Sequence, residues 1–166
     1  IMDGFEPAGE VSDERWERVL RVNVTGTMRM TRAVLPRMLE ARRGSIQIEG
    51  RRIGVRGRGH GVAWFDFFVL CEGPRSTDDY IEIAREFGIV LLGGVPAFDA
   101  GNEDAARRFV NLVDEFYDRQ VTLVCTAAAP PVALYEGKRL AGAFERTASR
   151  LIEMQSAEYL ARTHRG

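Results

Sequence analysis

Apolar residues recur at spacings of three and four from Trp16 through Val19, Leu20, Val24, Met28, Val34, Leu35 and Met38 to Leu39, the period of a helix with one buried face. Ser12 or Asp13 stands where its N-cap is expected, and Arg42, Arg43 and Gly44 supply a basic last turn and a stop. The period then drops to two. Ile46 and Ile48 alternate with polar neighbours, Ile53 and Val55 repeat the pattern after Gly50, and the two runs predict a β-hairpin. Gly57 to Gly61 predicts a turn, and Val62 to Phe67 predicts a strand leading into an apolar stretch that ends at Cys71.

Beyond Gly73-Pro74, Ser76 or Thr77 with Asp78 and Asp79 opens a predicted helix that runs through Phe87, its acids lying where the helix dipole favours them. Ile89 to Leu92 has no polar alternation and predicts a strand buried on both faces. Asn102, Glu103 and Asp104 begin another helix with Ala106, Phe109, Val110, Val113, Phe116 and Tyr117 as its inward stripe. A second buried strand is expected over Val121 to Cys125, and Pro130-Pro131 ends whatever follows it. The last helix is predicted from about Thr147 to Ala161, with Leu151, Met154 and Leu160 on one side. Apolar strands alternating with helices predict the α/β class, with an added β-hairpin and an N-terminal amphipathic helix.

Composition adds a size and an environment. In 166 residues with 45% apolar content there is enough to bury a core without metal or disulfide staples. No apolar run reaches the roughly 20 residues that cross a bilayer, and Ile1 to Glu10 lacks the basic start of a signal peptide, so a cytoplasmic location is expected and no transmembrane segment. Cys71 and Cys125 have no CxxC partner or nearby His, which predicts two reduced core thiols and no metal site. The net charge of −1 hides a local imbalance. Arg51, Arg52, Arg56 and Arg58 face a single acid between Ile46 and Gly61, a patch that reads as a solvated Arg-rich hairpin rather than a nucleic-acid surface. Of the 23 basic residues, Lys138 alone is lysine.

Two family likenesses meet near Gly44 to Gly50, which divides the chain into residues 1–45 and 46–166. The first segment, with VNVTG followed by LPRM, resembles an internal piece of the short-chain dehydrogenases/reductases. That resemblance makes Asn23 the counterpart of the Asn in the family's Asn-Ser-Tyr-Lys set. It implies no nicotinamide chemistry here, because a Tyr and a Lys four residues apart are needed and Leu134 is the residue four before Lys138, with Tyr135 at three. The second segment carries CEGPRS-x-x-DYIEIAR, ARRF-x-x-LVDEFYD and FERT-x-SRLIEMQS-x-EYL, and resembles the C-terminal part of the ZapE-type cell-division ATPases. The resemblance implies a partial P-loop ATPase-like α/β domain. For the intact family it implies ATP and magnesium, and as partners a bacterial tubulin-like division protein and a missing ATPase half or self-association.

These 166 residues contain no Gly-x4-Gly-Lys-Ser/Thr loop, whose amides and lysine neutralise nucleotide phosphates; Lys138 is followed by Arg139. The chain is therefore expected to be a fragment that binds no cofactor by itself and lacks catalytic residues. Arg107 and Arg108 are its candidates for contact with a nucleotide or a neighbouring subunit, since a guanidinium binds phosphate oxygens bidentately; surface pairing with Glu103 or Asp104 is the competing reading. Asp114-Glu115 follows an apolar run as a magnesium-binding acid pair does, but the run is helical in period and predicts a solvated pair. His60 is expected in a turn and His164 in a fraying tail.

Overall fold

The computed structural model describes residues 44–48 and 50–166; the predicted N-terminal helix, its caps and Asn23 lie outside them. Strands β1 (Gly44–Ile48) and β2 (Arg51–Val55) pair antiparallel, with Ile46 opposite Ile53. The expected hairpin is present, and Ile46, Ile48, Ile53 and Val55 all point into the core.

The Gly-rich stretch is more than a turn. Gly57–Gly59 forms a short strand, β3, antiparallel to β4 (Val62–Asp66). The link is His60-Gly61, with φ of 49° and 78°, the left-handed pair that a two-residue hairpin demands and that a glycine accommodates at its second position. β5 (Ile89–Val95) and β6 (Thr122–Ala127) then add in parallel, giving the order β3-β4-β5-β6.

Helix α1 (Thr77–Glu86) connects β4 to β5, and α2 (Glu103–Asp118) connects β5 to β6. Because each parallel step moves one place in the same direction and right-handed crossovers are the rule, α1 and α2 lie side by side on one face of the sheet. Ala63, Phe65, Val90 and Leu92 point to that face and are buried. Phe109, Leu112, Val113 and Phe116 of α2 meet them in the core, Leu112 being a core position the predicted stripe omitted.

Three expectations need correction. β5 and β6 are not buried on both faces: Ile89, Leu91 and Gly93 are partly exposed, and no residue of β6 is fully buried. Cys71 is buried as expected, but Cys125 is exposed near the end of an outer strand. The last helix begins earlier and ends sooner, as α3 (Ala141–Glu153), followed by a separate turn, α4 (Ala157–Leu160). The break falls where the Ser156 hydroxyl accepts from the Tyr159 amide and starts a new cap, which turns Tyr159 rather than Leu160 into the core.

Candidate functional site

The segment CEGPRS-x-x-DYIEIAR builds a buttress rather than a ligand cradle. Directly after β4 the chain makes one π-helical turn, Phe68–Glu72, and the last carbonyls of a helical turn have no intrahelical donor. Three side chains take them. Arg75 Nε donates to Val69 O at 3.0 Å, the Tyr80 hydroxyl donates to Leu70 O at 2.8 Å, and Arg108 Nη1 donates to Cys71 O at 3.1 Å. Burial pushes the enclosed Cys71 thiol up to about 12, so it is an inert core group at neutral pH.

Arg107 and Arg108 thus divide their work. Arg108 is partly buried and ties α2 to the turn after β4, whereas Arg107 is exposed on the same helix. Glu103, one of the surface acids expected to pair with them, is instead paired with Arg139 at 3.3 Å and accepts from the Tyr135 hydroxyl at 3.4 Å. Tyr135, the residue nearest to a dehydrogenase tyrosine, also accepts from the Leu140 amide at 2.9 Å and stacks on Phe144 with ring centroids 4.6 Å apart. It is fixed as a strut, and Lys138 beside it is exposed.

Asp114 is not the solvated acid that its setting predicted. Its carboxylate joins α2 to α3 by pairing with Arg150 and, at 3.2 Å, with Arg146. Arg150 also lies over the Tyr117 ring at 4.9 Å. Glu115 pairs with Arg119 one turn on at 2.5 Å. Both acids are engaged with arginines, and among the described residues no group of three or more His, Cys, Asp or Glu is placed to hold a metal ion. Nor is the tail frayed: His164 Nε2 is 2.6 Å from Ala84 O, and the Arg165 amide donates to Arg119 O at 2.9 Å.

In parallel α/β sheets ligands sit beyond the carboxyl ends of the strands. Here those ends carry Asp66, Gly93-Gly94 and Thr126. Arg56 Nε pairs with Asp66 at 2.7 Å, its guanidinium 5.3 Å from the Trp64 ring centre. Gly94, at φ 80°, lies in a break of the β5–β6 register and donates its amide to the Thr126 hydroxyl at 2.9 Å. A left-handed backbone with no Cβ neighbour within 4 Å leaves open space at that edge.

Comparison with known proteins bears on what such a frame belongs to. The family model described as AFG1-like ATPase matches residues 12–163. This chain belongs to the AFG1-like ATPase family. It is 43% identical over 120 residues to the cell division protein ZapE of Escherichia coli, covering 72% of this chain and 32% of that protein. It is 32% identical over 146 residues to lactation elevated protein 1 homolog B of Danio rerio, covering 69% of this chain and 29% of the relative. The chain therefore spans about a third of the length of the curated AFG1-like relatives it matches. A short chain dehydrogenase of Emericella variicolor is 39% identical over 64 residues, 39% of this chain and 25% of that protein. No solved structure matches.

The α/β architecture agrees with a P-loop-like domain, and no helix among the described residues is long and apolar enough to cross a membrane. Sequence reasoning missed the roles of Arg75, Tyr80, Arg146 and Arg150. All four lie inside the motifs that carry the ATPase resemblance, but their partners are distant in sequence for Arg146 and Arg150 and are backbone carbonyls for Arg75 and Tyr80, which no periodicity marks.

Proposed function

We propose that this chain is the C-terminal portion of a ZapE-like cell-division ATPase, with residues 46–166 as the ATPase-derived part and residues 1–45 as a dehydrogenase-like segment. Its work, in the cytoplasm, is interaction: it completes an ATPase whose phosphate-binding residues lie elsewhere, and it engages a tubulin-like division protein. Of the two candidate arginines, the exposed Arg107 is its contact toward nucleotide or a neighbouring subunit, while Arg108 holds the Cys71 carbonyl beneath it. The observation that carries this reading is the 43% identity to ZapE over 120 residues in a sequence with no Gly-x4-Gly-Lys-Ser/Thr loop. ATP with magnesium does not fit the residues present by themselves. Lys138 is exposed and followed by Arg139, and the Asp114 carboxylate is already neutralised by two arginines.

Co-sedimentation with polymers of the tubulin-like division protein tests the interaction. Saturable recovery of the chain with the polymer is expected, and recovery equal to that of an unrelated protein of similar charge would end the reading. A second reading, an NAD(P)-dependent oxidoreductase, draws on the similarity of 64 residues to short-chain dehydrogenases. Calorimetry separates the two, because millimolar NAD(P) is expected to produce no binding heat.

A further inference from the structure

β6 has the sequence of an interior strand and the position of an edge. Thr122–Ala127 reads TLVCTA, without a charge or a proline to guard an edge, and Ala128 and Ala129 continue the apolar run. Among the described residues nothing pairs with its outer side. The sheet face away from α1 and α2 is in the same state. Register aligns Trp64, Leu91 and Val124 across β4, β5 and β6, and all three are partly exposed. Parallel strands with such continuous apolar sequences are ordinarily covered on both faces. Since both crossovers here fall on one face, the cover for the other must come from a connection running in the opposite direction along the sheet.

We infer that the β6 edge and the Trp64–Leu91–Val124 face form the docking surface for the part of an AFG1-like ATPase that this chain does not span, which adds a strand parallel to β6 and lays a helix over that face. AFG1-like relatives about three times as long as the matched portion have the chain length to supply such a unit. A second copy fits less well, because a strand paired with itself about a two-fold axis must run antiparallel, whereas every pairing among β4, β5 and β6 is parallel. The inference rests on the proposed reading for the identity of the occupant. The carboxyl end of β6, with Thr126 and the open space at Gly94, then lies where the two halves of the sheet would diverge, the usual position of a ligand crevice.

The test co-expresses the full 166-residue chain with the remainder of Escherichia coli ZapE and follows amide exchange. Exchange across Thr122–Ala127 is expected to slow at least tenfold in the co-purified complex. Val124→Lys on the outer face is expected to abolish co-purification while its circular dichroism stays that of the parent, and Ile152→Lys, at an exposed site on α3, is expected to do neither. Protection that appears in the chain alone as its concentration rises would assign the surface to a second copy and overturn the inference. So would a complex that leaves β6 exchange unchanged, or no complex at all. A complex that protects β6 but splits no ATP upholds the docking surface and sinks the functional reading.

Discussion

Arg51 holds Asp79 with one guanidinium nitrogen, Nη2 lying 2.8 Å from Oδ1 and 2.9 Å from Oδ2. Asp79 sits in the first turn of α1 and is fully buried, while the Arg51 side chain is 44% exposed. The same carboxylate accepts from the Ser76 amide at 2.8 Å, and Arg51 Nη1 donates to Pro74 O at 3.1 Å. One buried acid therefore caps a helix and anchors the β1–β2 hairpin to the α/β body. Asp79→Ala is expected to cost about 3 kcal/mol, since it removes a cap as well as a charged hydrogen bond. Arg51→Ala is expected to cost about 1–2 kcal/mol, its exposed side being screened by solvent. Urea denaturation of both variants checks the order. Equal and negligible losses would show that the hairpin does not depend on this pair.

This anchoring explains what the sequence made legible and what it hid. The hairpin was readable because Ile46, Ile48, Ile53 and Val55 alternate with polar residues. The helix starts were readable because Ser76 and Asn102 precede acids. Arg51, by contrast, looked like one arginine in a solvated basic patch, because a partner 28 residues away leaves no periodic trace. β5 and β6 misled for a different reason: their composition reports burial on both faces, and the described residues supply cover for one. The break between α3 and α4 was hidden because Ser156 can continue a helix or cap the next, and only the packing of Tyr159 decides.

Tyr159 ties the C-terminal turn to the core, its hydroxyl lying 3.3 Å from the carbonyl oxygens of Phe116, Tyr117 and Val121. Burial pushes this phenol up from 10.0 to about 12 and the Cys71 thiol up from 9.0 to about 12, and burial raises Tyr80 as well. All three are neutral when folded and ionise earlier when unfolded, so the unfolded state binds fewer protons above pH 9 and stability must fall there. Denaturation midpoints are expected to be unaffected by these groups through neutral pH and to drop steadily from about pH 9 toward pH 12. Tyr159→Phe should make that drop shallower. A midpoint that holds or rises up to pH 11 would contradict the burial of these groups.

Arg107 and Arg108 are adjacent but should separate experimentally. With the chain joined to an intact nucleotide-binding half, Arg107→Ala is expected to lower ATP turnover by about tenfold or more with no change in melting temperature, as loss of a phosphate-facing arginine does. Arg108→Ala is expected to destabilise by about 1–2 kcal/mol, because the Cys71 carbonyl loses its charged donor. Turnover that survives both substitutions would remove these residues from the nucleotide site.

The most direct measurement is magnesium-ATP titration and phosphate release on the purified 166-residue chain alone. With no Gly-x4-Gly-Lys-Ser/Thr motif in the 166 residues, no binding heat at millimolar nucleotide and no release above buffer are predicted. Saturable binding, with hydrolysis that follows the protein through two independent columns, would contradict the account.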